Sequence, residues 1–302
     1  MKTATLRADL LLLIAAAIWG SGFVAQRIGM QHVGPLTYTG VRFVIGVLVL
    51  LPIVTARRGR NHTTAKWPSW RAGLLLGTVL FAGVTLQQYG LVYTTAGKAG
   101  FITGLYVVLV PVIGLLFRQR PHWLTWAGVT LAAVGLYFLS VKGQFQINPG
   151  DRYVMACACV WAVHLLLVGW LAPRNDPFEL AIMQFAVCAL LGLITAGFEQ
   201  PCMQNIWAAR WPILYGGACS VGIAFTLQIV AQRDAPPAHA AILLSFEAVF
   251  AALFGWIWLA ELFSTREFIG SALMLSGILV SQYRPTRRGS TNTLADTPRQ
   301  RQ

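Results

Sequence analysis

Glu247 is the residue of this chain whose chemistry is hardest to explain as packing. It stands about ten residues into the apolar run from Ala238 to Leu259. At a helical rise of about 1.5 Å per residue, that is roughly 12 to 15 Å into a membrane-crossing helix. A carboxylate at that depth is costly and faces a cavity or a partner. Desolvation penalises its charged form, so it could carry a proton or bind a substrate amine; the structural alternative is a neutral Glu bridging two helices by a hydrogen bond. Arg42, about seven residues inside the run Leu36 to Val54, could meet a substrate carboxylate or Glu247, or snorkel to lipid phosphate. His164 lies three residues after Trp161 and shares its helical face. There it could relay protons or stay neutral as a plain hydrogen-bonding group.

Trp19, Tyr106 and Trp161 fall about eight to ten residues into their own apolar runs, level with Glu247 near the bilayer midplane. Together with Phe246 they could wall a substrate cavity, although aromatics at such spacing also serve as packing. Phe23 and Gln26 share the face of Trp19. Gln87 and Gln228 come about sixteen residues into helices that enter from opposite sides. Symmetry makes them candidate gate residues, against the reading of interhelical hydrogen bonds; Gln88 and Ser245 are weaker additions.

Composition says what must position these groups. With 56% hydrophobic and 11% charged residues among 302, and a mean hydropathy of +0.62, the chain has too few charges to clothe a soluble globule. Ten apolar stretches are long enough to cross a bilayer: Leu10 to Ile28, Leu36 to Val54, Ala72 to Val92, Ala99 to Phe117, Trp123 to Leu139, Tyr153 to Leu171, Phe178 to Phe198, Pro212 to Ala231, Ala238 to Leu259 and Phe268 to Gln282. The links between them are short, so no soluble domain fits. With the first residues inside the cell, sixteen Lys and Arg fall on the inner side and six on the outer, which puts both termini in the cytoplasm of a multi-pass protein of the cell (inner) membrane. That bias accounts for the net charge of +13 without nucleic acid, and no aromatics cluster with those arginines outside the membrane.

The stretches also repeat. Ile18-Trp19, Pro35 and Phe43 return 142 positions later as Val160-Trp161, Pro177 and Phe185; Thr85-Leu86-Gln87 and Gly114 return 141 later as Thr226-Leu227-Gln228 and Gly255; Gly128 and Gly135 return at 142 as Gly270 and Gly277. Five helices per copy is odd, so the second copy enters from the opposite face. Inverted copies favour alternating access. The expectation is an all-α integral membrane protein of ten transmembrane helices in two inverted five-helix repeats, residues 8–140 and 152–283, followed by a disordered cytoplasmic tail, 284–302. The repeat breaks where Glu247 stands opposite Tyr106 and Arg42 opposite Gln184.

Several motifs lead elsewhere and fail. Met1 to Arg7 before an apolar run resembles a signal peptide, but the run continues past Trp19 without a small-x-small site. Gly20-Ser21-Gly22-Phe23-Val24-Ala25 fits a dinucleotide fingerprint yet lies inside a helix with no strand before it; its small residues serve close helix contact, as do Gly73 with Gly77 and Gly100 with Gly104. There is no phosphate-binding loop, zinc-protease motif or nucleophile elbow. Of the five cysteines, Cys157 and Cys159 point about 200° apart on a helix, and none has paired metal spacing, so they read as packing residues. Trp67, Trp70, Trp123, Trp126, Trp207, Trp211, Trp256 and Trp258 lie near helix ends, as an interfacial belt requires.

The runs Ile18-Trp19-Gly20-Ser21-Gly22-Phe23, Thr94 through Pro111, Ser245 through Leu253 and on to Glu261, then Gly270 and Gly277, resemble the EamA-type transporters of the drug/metabolite transporter superfamily over about residues 8 to 283. The resemblance implies ten helices in two inverted repeats, a small-molecule substrate, a lipid bilayer around the protein and no cofactor. Two departures stand out: Arg118-Gln119-Arg120 occupies the place that Glu261 holds in the second half, and Tyr106 faces Glu247. The reading that follows is a secondary transporter exporting amino acids or related small metabolites by alternating access, with proton coupling through Glu247. Uncoupled facilitative passage of a metabolite or drug is the alternative, and an intramembrane lipid-modifying enzyme using His164 and Glu247 is the remote one.

Overall fold

The computed structural model describes residues 2–57, 69–94, 96–140, 149–259 and 264–282. Trp67, Glu261, Lys142 and the tail 284–302 lie outside them, and so do the side chains of Trp256 and Trp258. The described residues are helical and contain no strand. In the first repeat α1 is Lys2–Gly29, α2 Pro35–Arg57, α3 Ser69–Tyr93, α4 Ala96–Gly104, α5 Tyr106–Leu116 and α6 Trp123–Ser140. In the second, α7 is Pro149–Leu171, α8 Pro177–Ala196, α9 Met203–Ala208, α10 Arg210–Tyr215, α11 Thr226–Ala231, α12 Pro237–Leu244, α13 Glu247–Leu259 and α14 Thr265–Gln282, with a π-helical stretch, Gly216–Phe225, joining α10 to α11. Among the described residues seven spans are long and apolar enough to cross a membrane, and three shorter apolar helices, Trp123–Phe138, Pro237–Ala251 and Phe268–Ser281, complete the ten. Trp70, Trp123, Trp207 and Trp211 are exposed near helix ends.

Proline opens α2, α7, α8 and α12, where its fixed φ suits the first turn and its missing N–H costs nothing. The two most closely related starts are then finished differently. Asp176 caps α8 by accepting from the Phe178 and Glu179 amides at 2.9 and 3.2 Å. The corresponding start of α2 has Gly34, and the carboxylate comes instead from Glu199, which accepts from the Leu36 and Thr37 amides at 2.9 and 2.8 Å and from Thr37 Oγ1 at 2.7 Å. Gly34 leaves room for it: a Cβ there would lie 2.3 Å from that carboxylate, which would have to swing away from the helix end. A negative group against a helix N-terminus stabilises it, and here it also ties the end of the second repeat's α8 to the first repeat's α2.

Three spans expected to be continuous are not. The fourth crossing breaks between α4 and α5 at Leu105, and the ninth between α12 and α13 at Ser245 and Phe246. At both places the hydrogen bonding tightens to three-residue steps: Leu105 N–H to Ile102 O, Val108 N–H to Leu105 O, Phe246 N–H to Leu243 O and Ala248 N–H to Ser245 O, at 3.0 to 3.2 Å. The backbone stays right-handed helical at Leu105 and Ser245, and Tyr106 and Glu247 are the first residues after the tightened turns. The eighth crossing widens into the π-helical stretch, whose Gly216, Gly217 and Gly222 pack closely against α2: a Cβ on Gly217 would lie 2.7 Å from the Arg42 carbonyl.

The repeats meet about an antiparallel two-fold arrangement. Gly128 packs on the Gly277 carbonyl and Gly135 on the Gly270 carbonyl, so the equivalent helices α6 and α14 run past each other in opposite directions. Helices α2 and α8 do the same, with Gly40 against Gly192 and the Phe43 and Phe185 ring centroids 6.0 Å apart. Between these two pairs an aromatic core forms around Phe225. Its ring lies 4.7 Å from that of Trp19 and 5.7 Å from that of Trp161, nearly parallel to the latter.

Candidate functional site

A cavity opens at this aromatic core, with about 500 Å³ of space not filled by protein atoms, part of it open to the surroundings. Its wall obeys the repeat. Trp19 and Trp161, Phe23 and Leu165, Val84 and Phe225, Gln87 and Gln228, Thr103 and Leu244, and Tyr106 and Glu247 are six pairs at the repeat spacing of 141 or 142, and all twelve line it. The cavity therefore straddles the axis relating the halves, and both repeats contribute to every part of that ring. Among the described residues only Gln26, Arg42 and Ser220 line it without a lining counterpart; the equivalent positions are Val168, Gln184 and Val79.

The sequence reading brings most of its candidates here. Glu247 is buried and accepts a hydrogen bond from the Tyr106 hydroxyl at 3.2 Å. Both residues follow the tightened turns of their helices, so the two turns put the ring's one carboxylate in contact with its one phenol across the axis. Gly20 sets the approach: a Cβ there would lie 2.6 Å from Phe250 Cβ and 2.7 Å from the Glu247 carbonyl. The supposed dinucleotide motif is thus a seat for α13 against α1. Trp19 donates from Nε1 to the Ser220 carbonyl at 3.1 Å, and its neighbour Ser21 shares a hydrogen bond with the Tyr215 hydroxyl. π-Helical turns are rare and recur at functional positions; this one presents Ser220 and Phe225 to the cavity.

Gln87 and Gln228 both face the cavity. Gln228 donates from Nε2 to Gln232 Oε1, and Gln232 donates in turn to the Leu165 carbonyl, each at 3.0 Å. The Gln228 and Gln26 carbonyl oxygens are buried without a partner. Arg42 is 2% exposed; its guanidinium lies 5.3 and 5.4 Å from the Tyr38 and Phe43 ring centres. Among the described residues no carboxylate pairs with it, Glu247 included.

Two candidates fall behind the wall. His164 is fully buried, edge-on to Trp161 at 5.4 Å, with Nε2 hydrogen-bonded to Gln184 Oε1 at 3.2 Å. It shares a face with Trp161, but the indole stands between it and the cavity. Phe246, at the break itself, packs into the core beside Leu244 instead of lining the space. Phe225, in contrast, is central and was missed by the sequence. Its signal was faint: it precedes the repeated Thr-Leu-Gln, but its counterpart is Val84, so identity between the halves does not mark it.

Two inverted repeats of membrane-crossing helices around an axial cavity are the architecture of a membrane transporter. The EamA-like transporter family matches residues 6–141 and again 148–283, and this chain belongs to it. An uncharacterized transporter of Archaeoglobus fulgidus is 32% identical over 280 residues, covering 92% of this chain and 87% of that protein. The threonine/homoserine exporter RhtA of Salmonella typhimurium is 24% identical over 303 residues, covering 97% and 94%. A solved crystal structure superposes with a TM-score of 0.74 at 22% identity, covering 91% of this chain and 96% of that one, and has the same fold.

Proposed function

We propose that this transporter exports an amino acid or a related small metabolite by alternating access, with the substrate in the axial cavity and Glu247 as its polar, proton-carrying contact. The observation that carries the reading is the 3.2 Å bond between Tyr106 and Glu247. It joins equivalent positions of two broken helices, at the repeat interface where inverted-repeat transporters hold substrate. A carboxylate held by one hydroxyl, beside empty space, can exchange that partner for an amine or release a proton. The amino acid class follows from the name of the Salmonella relative.

Alternating access needs bonds that close one end and can break. Where α1 begins, His239 Nε2 meets Asp9 Oδ1 at 2.7 Å and His239 Nδ1 meets Ser281 Oγ at 3.5 Å, joining α1 of one repeat to α12 and α14 of the other. The Gln228–Gln232–Leu165 chain closes the same end. The excess of Lys and Arg there supports reading it as the cytoplasmic end of a protein in the cell membrane, with both termini inside. The enzyme reading loses its pairing, because His164 is bonded to Gln184 behind the aromatic wall and Glu247 to Tyr106 within it.

Counterflow in proteoliposomes tests the proposal: vesicles loaded with unlabelled L-threonine, L-homoserine or another amino acid should accumulate the same labelled compound, and Glu247→Gln should slow this at least about tenfold. Failure of the whole amino acid panel to exchange would contradict it. Exchange by a protein that a proton gradient cannot drive uphill would favour facilitative passage.

A further inference from the structure

The cavity is symmetric except at one corner, and that corner is polar. Gln26, Arg42 and Ser220 come from α1, α2 and the π-helical stretch, and their equivalents in the other half are two valines and a glutamine already bonded to His164. All three line the cavity, and glycines of α1 and the π-helical stretch pack beside them. A Cβ on Gly22 would be in ordinary contact with Gln26 Nε2 and Ser220 Oγ, 3.8 Å from each, and one on Gly216 would lie 2.7 Å from the Tyr38 hydroxyl and 3.5 Å from Arg42 Cδ. Arg42 itself is a cation at membrane depth, 2% exposed, with its buried Nε lacking any acceptor. Rings flank the guanidinium, but rings do not satisfy its donors. Removing an unpaired charge from water is expensive, and an intramembrane arginine facing a water-filled space marks a ligand path. Planar guanidinium donors match a carboxylate in two-point contact.

Building on the export reading above, we infer that Arg42, with Gln26 and Ser220, forms an anion subsite that takes the carboxylate of a zwitterionic amino acid, whose amine points across the axis toward Glu247. The two cavity charges do not pair with each other, which leaves each for one end of such a molecule. The aromatic wall of Trp19, Trp161 and Phe225 then lies against its carbon skeleton. Because the counterpart of Arg42 is a neutral Gln184 turned to His164, the substrate binds in one orientation although the cavity is built from two equivalent halves.

The experiment compares L-phenylalanine, L-leucine and L-threonine with their carboxamides, for binding to the purified full-length chain by calorimetry and for counterflow in proteoliposomes. Each acid should be preferred over its amide by about 100-fold, the usual cost of truncating one partner of a buried charge pair. Arg42→Gln should bring that ratio near unity, Arg42→Lys should restore part of it, and Ser220→Ala and Gln26→Leu should lower it to intermediate values. Chloride, inorganic phosphate and phosphatidylglycerol should leave acid binding unchanged. The acid-to-amide ratio of the unaltered protein needs no variant, so misfolding of Arg42→Gln does not obscure the outcome. Equal handling of acid and amide with exchange intact overturns the subsite alone, as does competition by chloride, phosphate or anionic lipid. Absence of exchange by every amino acid overturns the export reading and the subsite with it.

Discussion

Tyr106 and Glu247 divide one role between two equivalent positions. Tyr106→Phe removes the hydroxyl that the carboxylate accepts from and leaves the cavity shape unchanged. A hydrogen bond to an ionisable group contributes about 1.5 to 3 kcal/mol, so the variant should melt at a lower temperature, and counterflow should fall by at least about tenfold in the fraction that stays folded. Phe225→Ala should act mainly on stability, since that ring contacts Trp19, Trp161, Phe43 and Phe185. A loss of about 3 kcal/mol should appear as a lower melting temperature in detergent, together with weakened substrate binding. Seven of the nine candidate residues line the cavity, because a polar or aromatic side chain at midplane depth has few other uses. His164 shows the limit of that logic: helical spacing gives a face, and packing decides which residue of that face stands in front. Phe225 and Ser220 stayed hidden because nothing in an apolar run announces π-helical turns.

Among the elements, the breaks and the glycine contacts decide where the cavity sits. Hydropathy gave the ten crossings, yet it reads the fourth and ninth as continuous, since tightening a turn at Leu105 or Phe246 leaves composition unchanged. Gly20 and Gly100 offer a paired test of what glycine does in these helices. A methyl at Gly20 would meet α13 backbone at 2.7 and 2.8 Å, whereas Gly100 has nothing within 4 Å. Gly20→Ala should therefore cost about 1 to 3 kcal/mol through overpacking and displace Glu247, lowering both melting temperature and transport. Gly100→Ala should be neutral or stabilising by up to about 1 kcal/mol, from helix propensity alone. If both behave alike, close packing at Gly20 is not what seats α13.

For the whole molecule, the account requires one end of the bundle to open while the other closes. Asp9 and His239 bridge the repeats at the starting end, so Asp9→Asn and His239→Ala should each raise the labelling, from that side, of a cysteine placed at Gln228. The double variant should add little beyond either single one, as for residues sharing one interaction. The inverted repeat was legible because tryptophan, proline, phenylalanine and glycine recur in register; the division of polar work between the halves was visible only as mismatches, and the fold brings those mismatches together as one carboxylate and one guanidinium on the same cavity. The measurement that bears most directly on this is gradient-driven flux in proteoliposomes with an acidic lumen and equal amino acid on both sides. Proton-coupled export through Glu247 predicts that the protein accumulates its amino acid in the acidic lumen against its own gradient, and that Glu247→Gln, which loses the amine contact as well as the proton carrier, does not accumulate it. Undiminished uphill accumulation by Glu247→Gln would contradict the account.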